Sequence, residues 1–273
     1  MRLLKNILIW PIYSNIFVAL CILGLTISSE ILFRTSNYKL SQFVFFATLF
    51  TYNFQRIFRL RKIQNQSRKD WLNKNKLAVF ILIAIGAIMS IYHFFDLKTK
   101  TQIVIVISGV LSVLYPFGLR KIPFSKIFII SLVWTISSMF LLVLENDIPI
   151  DSNVGFHLIG RFLFVFAIAI PFDIRDLKFD DKKLKTIPII FGQSKAKLLA
   201  VLSLLIAEGL YIIQYFEKQI SSQYLIGIII SFLITSFFII KSSEKKSDFY
   251  YSFWVESMSL LLYLILGFST LML

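Results

Sequence analysis

The sequence predicts an all-α protein: a polytopic membrane bundle of nine transmembrane helices forming a single domain over residues 1–273, with the N-terminus in the cytoplasm and the C-terminus outside. Three observations predict it. Of the 273 residues 57% are hydrophobic and 29 are Phe, and the mean hydropathy is +0.77, a composition that belongs in lipid. Apolar stretches of the roughly 17 to 25 residues needed to cross about 30 Å of hydrocarbon recur nine times. With the N-terminus inside, 23 of the 29 basic residues fall on the cytoplasmic side, as the positive-inside rule requires. The net charge of +14, which in a soluble chain would suggest nucleic acid, is therefore read as a topological signal, and no nucleic-acid partner is expected.

The spans follow in order. Residues 9–29 come after Arg2 and Lys5 and begin like a signal peptide, but the apolar core is long and eight further spans follow, so this is read as a retained first helix. Its Cys21 is the one cysteine of the chain, which leaves no disulfide framework to infer. Residues 40–58 form the second span, with Asn53, Gln55, Arg56 and Arg59 at its end, where polar groups are costly and usually face a cavity or a partner. Spans 77–95 and 101–118 are bounded by short polar segments; 126–144 and 155–172 follow, then 195–216, 221–240 and 250–272. No connection is long enough to bury a core of its own. His93 and His157 lie at outer ends of spans, away from cytoplasmic chemistry. Glu208 and Glu256 are intramembrane acids and hence functional candidates by default; Glu256, close to the cytoplasmic face, is favoured, and Glu208 is read as structural.

Three cytoplasmic segments stand out. The run DIRDLKFDDKKLKTIPIIFG from Asp173 to Gly192 carries four carboxylates and five basic residues directly after an apolar stretch. On a continuous helix Asp173, Asp176 and Asp180, at i, i+3 and i+7, fall within a sector of roughly 60°. Such an all-oxygen face suits Mg²⁺, which uses one or two carboxylates plus substrate phosphates. A solvated loop with i,i+4 ion pairs is the plain alternative. Between Tyr52 and Lys76 eight basic residues face only Asp70; most suit anionic lipid headgroups, whereas Arg56 and Arg59, one turn apart, can grip one phosphate group. The third segment, YPFGLRKIPFSK, runs from Tyr115 to Lys126 and contains Arg120.

Together these segments resemble the UbiA superfamily of intramembrane prenyltransferases. Asp176, Asp180, Lys185, Thr186, Pro188 and Gly192 resemble the family's second aspartate motif, and Tyr115, Pro116 and Arg120 resemble its Tyr-Pro and basic segment after the fourth helix. The resemblance implies nine helices with two aspartate-rich loops over a lipid-open cavity, where Mg²⁺ ions clamp a prenyl diphosphate. Of the first motif only Asn53 is kept: its carboxylate positions read Phe54, Ile57 and Arg61, and Leu184 stands near the glycine of the second motif. The expectation is thus half of a metal site. Asp173, Asp176 and Asp180 are the catalytic and metal-ligating candidates, holding a single Mg²⁺. Asn53, Arg56, Arg59, Tyr115, Arg120, Lys126 and Lys185 are the substrate-binding candidates, with arginines replacing one metal. The function this implies is transfer of a prenyl group from a prenyl diphosphate to an aromatic or other hydrophobic, lipid-soluble acceptor at the cytoplasmic side of the cell membrane. The alternative is a non-catalytic protein of the same fold that binds an isoprenoid lipid or a partner. A transporter would show polar or broken mid-bilayer helices and an internal repeat, and neither is evident.

Overall fold

The structure, a computed structural model, describes residues 2–58, 66–114, 122–178 and 185–272, and the side chains of all of these except 2–7 and 113–114. Among the described residues every regular element is helical. Six rods are long and apolar enough to cross a membrane: Lys76–Phe95, Ser125–Glu145, Ser152–Asp176, Ile187–Phe216, Ser222–Lys241 and Tyr250–Thr270. The chain is an integral membrane protein.

The first predicted span is divided. Helix α1 covers Arg2–Tyr13 and α2 covers Ile16–Leu32; between them Asn15 adopts φ 60°, a left-handed conformation that Asn tolerates better than most residues. The break is clamped from α3 (Tyr38–Phe58). The Asn15 side-chain amide donates to Asn53 Oδ1 at 2.8 Å, and Asn53 Nδ2 donates to the carbonyls of Ser14 and Leu49, each at 2.9 Å. Asn53 is therefore fully buried. The basic segment after α3 contains a helix that the hydropathy pattern does not reveal, α4 (Gln66–Lys74). It lies against α1 through Trp71, whose ring stands edge-on to Trp10 and Tyr13 with centroids 6.4 and 5.8 Å away.

Helices α5 (Lys76–Phe95) and α6 (Thr99–Leu114) follow. Gly86 lets α5 press onto α3, since a Cβ there would lie 2.9 Å from the Phe50 nitrogen and 3.0 Å from the Phe46 oxygen. Small residues at such crossings bring helices into van der Waals contact, which is what holds them together where lipid removes the hydrophobic drive. Next come α7 (Ser125–Thr135), a π-helical turn at Ile136–Phe140 and α8 (Leu141–Glu145). The centre of the bundle is α9 (Ser152–Asp176), opened by Asp151, whose side chain accepts from the Val154 amide at 2.9 Å. Its Phe164 stacks on Phe232, centroids 5.4 Å apart, and Ile170 and Ile174 are fully buried.

Helix α10 (Ile187–Phe216) is interrupted at Gly192, which takes φ 80° and ψ 162°. Only glycine occupies that region without strain, so the glycine of the motif separates a short entry turn from the membrane rod. Helix α11 (Ser222–Lys241) leads to a second π-helical turn, Tyr250–Val255, and to α12 (Met258–Thr270).

A candidate functional site at the helix ends

A cavity of about 220 Å³ opens among α1, α2, α3, α4, α7, α9 and the second π-helical turn. One part of its wall is apolar and aromatic, with Phe17, Val18, Ile127, Ile130, Trp134 and Val165; the rest carries Arg56, Arg68, Lys126 and Arg175 together with Asp173, Asp176 and Glu256. Four cations against three carboxylates leave this part of the chamber with a net positive charge beside the apolar wall.

Local structure explains how these groups arrive. Helix α7 starts after Phe124, which has φ 62° and donates its amide to the Lys185 carbonyl at 3.0 Å. That bond ties two of the predicted loops together and points the first turn of α7 at the end of α9. There Lys126 Nζ bridges Asp173 Oδ1 at 2.5 Å and Asp176 Oδ2 at 2.9 Å. Arg175 continues the chain of charge, with Nε 2.8 Å from Asp176 Oδ1 and Nη1 3.1 Å from Asp248 Oδ1 in the α11–α12 connection. Its guanidinium also stands over the Phe172 ring, 5.2 Å from the centroid. Pro171 lies within α9 one turn before this cluster, where it removes a helix hydrogen bond.

Arg56 donates to the Tyr13 carbonyl at 3.3 Å, and Arg68 of α4 covers the Tyr13 ring with its guanidinium carbon 4.9 Å from the centroid. Burial lowers the proton affinity of Arg68, and the nearby Asp248 charge opposes that shift. Deeper in, Trp134 Nε1 donates to the Tyr52 hydroxyl at 3.0 Å, so two polarised aromatic rings face the apolar chamber.

The sequence-derived residues divide as follows. Asp173, Asp176, Arg56 and Lys126 meet at the cavity. Asn53 instead braces the α1–α2 break, and Lys185 is exposed and contributes its carbonyl to Phe124. Helix α9 ends at Asp176 and carries Asp173 and Asp176 of the predicted three-aspartate face. Asp180, Arg59, Arg61, Tyr115 and Arg120 lie outside the described residues. Sequence reasoning missed Arg68, assigned to lipid, and Arg175, hidden within the aspartate motif. Apart from Tyr115 it named no aromatic, because periodicity alone does not separate Tyr52 and Trp134 from lipid-facing rings.

Among the described residues no group of three metal-ligating side chains converges. Asp173 and Asp176 nonetheless fit one Mg²⁺ by donor chemistry, since that ion takes one or two carboxylates and completes its shell with substrate phosphates and water.

A family model described as the UbiA prenyltransferase family matches residues 72–261. Digeranylgeranylglyceryl phosphate synthase of Methanosphaera stadtmanae is 30% identical over 166 residues, which span 59% of this chain and 59% of that protein. A UbiA homologue from Archaeoglobus fulgidus, solved bound to DMAPP and Mg²⁺, superposes with a TM-score of 0.66 at 15% identity, covering 97% of this chain and 99% of that one. A structure concerned with digeranylgeranylglyceryl phosphate synthase in membranes gives a TM-score of 0.62 at 21% identity, covering all of both chains. The two structural likenesses establish a shared fold.

Proposed function

Since this chain belongs to the UbiA prenyltransferase family, we propose that it transfers a prenyl group from a prenyl diphosphate to a lipid-soluble acceptor in the cavity just described. The observation that carries the reading is the pairing, in one chamber, of an apolar aromatic wall with four cations and two clustered aspartates. The isoprenoid tail fits the first and the diphosphate fits the second. In this reading the chain is one domain of nine spans, with the N-terminus and the cavity mouth at the cytoplasmic face of the cell membrane.

Breaking the bond between the allylic carbon and oxygen leaves its electron pair on the diphosphate, and positioned positive charge lowers that barrier. Arg56, Arg68 and Arg175 supply fixed guanidinium donors that match phosphate oxygens. Asp173 and Asp176, with Asp180, would hold a single Mg²⁺, which when bound neutralises charge on the departing group. Lys126 moves from the aspartates to a phosphate oxygen as the donor enters. Tyr52 and Trp134 offer ring faces to the positive charge that develops on the allylic fragment. The acceptor is an aromatic or another lipid-soluble nucleophile; the name of the Methanosphaera relative makes a glyceryl phosphate lipid the first to try.

Radiolabelled geranylgeranyl diphosphate offered to the purified protein with geranylgeranylglyceryl phosphate or 4-hydroxybenzoate tests the proposal: labelled lipid product and free diphosphate are expected, and their absence with both acceptors contradicts it. One observation favours the non-catalytic reading: Lys126 already bridges Asp173 and Asp176. On that reading the donor binds but is not consumed.

A further inference from the structure

Glu256 stands apart from the other charged groups of the cavity. Asp173 and Asp176 share Lys126, and Arg175 joins Asp176 to Asp248. The Glu256 carboxylate lines the same cavity yet has no hydrogen-bond or ion-pair partner among the described residues. It is half-buried on a membrane rod, where an unpaired carboxylate is costly and is not retained for packing. It closes the π-helical turn Tyr250–Val255, its amide bonded to the Tyr251 carbonyl five residues back at 3.2 Å, a backbone form that recurs at functional sites. The charged and titratable groups facing it are Cys21 on α2, Tyr52 and Arg56 on α3, Arg68 on α4 and Arg175 on α9. The charges of Arg175, Arg68 and Arg56 act on it, while none of the three is bonded to its oxygens among the described residues. Tyr52 already accepts from Trp134, and a phenol is a far weaker base than a carboxylate at neutral pH.

We infer that Glu256 is a catalytic residue of this site: the base that takes the proton the acceptor releases as it is prenylated. The assignment rests on the transfer reaction proposed above. The bond between the allylic carbon and oxygen breaks with its electron pair leaving on diphosphate. A lone pair of the acceptor hydroxyl forms the new carbon–oxygen bond, the O–H pair returns to that oxygen, and the proton passes to a Glu256 oxygen and then to water. No other reagent is consumed. A base acting on the acceptor is needed for transfer and not for ionisation of the donor, so its removal uncouples the two.

The test compares wild type, Glu256→Gln and Glu256→Ala in detergent, with geranylgeranyl diphosphate as donor and geranylgeranylglyceryl phosphate or 4-hydroxybenzoate as acceptor. Donor affinity, diphosphate release and transfer product are followed separately. The expected result for Glu256→Gln is donor binding within about threefold of wild type, continued diphosphate release with prenyl alcohol formed by water capture, and transfer reduced about 100- to 10,000-fold, the usual contribution of a positioned base. Added formate restores transfer in Glu256→Ala, which keeps the test open if the Gln variant misfolds. Transfer by Glu256→Gln at the wild-type rate overturns the role of Glu256 alone, as does parallel loss of donor binding with no formate rescue. Absence of transfer by the wild type with both acceptors overturns the proposed function and, with it, this assignment.

Discussion

Lys126 is the resident counter-charge of the aspartate pair, and its replacement by Met should reveal this. Methionine keeps most of the unbranched stem and removes the ammonium that lies 2.5 Å from Asp173 and 2.9 Å from Asp176. The Asp173 side chain is 1% exposed and that of Lys126 17%. Stripping one partner from a buried pair costs about 3–5 kcal/mol. Asp176 keeps Arg175 and the site borders a polar cavity, so the lower end, about 3 kcal/mol, applies. For a chain of this size that is a fall of roughly 6–12 °C in Tm. In thermal unfolding followed by tryptophan fluorescence in detergent, Lys126→Met in EDTA should show that fall. Millimolar MgCl₂ should recover much of it, because the two freed carboxylates then take the divalent ion, while equal ionic strength of NaCl should not. Wild-type stability of the variant in EDTA, or equal stabilisation of both proteins by Mg²⁺, would refute the reasoning.

Other perturbations test the frame around the site. Arg161 is buried in α9, with Nη2 donating to the hydroxyls of Ser28 at 2.7 Å and Ser29 at 3.1 Å while Nε and Nη1 have no partner among the described residues. The double change Ser28→Ala/Ser29→Ala should therefore cost about 2–4 kcal/mol in thermal stability, and adding Arg161→Met should recover most of it, since an apolar replacement removes the buried charge. Gly86→Ala puts a Cβ within 3.0 Å of two α3 backbone positions that have no rotamer to yield, and a loss of about 1–3 kcal/mol is expected in the same assay. Gly192→Ala meets no atom of the described residues within 4 Å, so its effect reports backbone strain at φ 80°, about 1–3 kcal/mol; a neutral result would show that the break in α10 is not held in place.

The legible part of the fold was its apolar run-lengths: the predicted spans ending near residues 58, 95, 144, 216 and 240 correspond to helices ending at Phe58, Phe95, Glu145, Phe216 and Lys241. What run-length does not show is a break made by a few buried polar atoms. The Ser14–Asn15 pair interrupts the first stretch only because Asn53, 38 residues on from Asn15, returns to bond it. Nor does hydropathy show which face of a helix a charge occupies. Arg161 sorts with outer-loop basics by position, yet it points into the bundle at Ser28 and Ser29. In the site, Asp173 and Asp176 were legible as a cluster because carboxylates are rare in this chain, and Glu256 because it interrupts an apolar span. Arg68 was not, because its helix packs on α1 through Trp71 and nothing local in the sequence distinguishes it from the basic residues beside it. Neither was the use of Lys126 as a cation between two aspartates, which depends on the Phe124–Lys185 bond joining two loops.

The most direct measurement is equilibrium binding of geranylgeranyl diphosphate to purified protein with and without Mg²⁺, for wild type, Asp173→Asn/Asp176→Asn and Arg56→Gln/Arg175→Gln. A diphosphate held by one Mg²⁺ and by arginines predicts binding that Mg²⁺ strengthens in the wild type, that loses its metal dependence in the aspartate variant, and that weakens about 100-fold or more in the double arginine variant, where each charge-assisted contact contributes about 1.5–3 kcal/mol. Equal affinity in all three proteins, with and without metal, would contradict it.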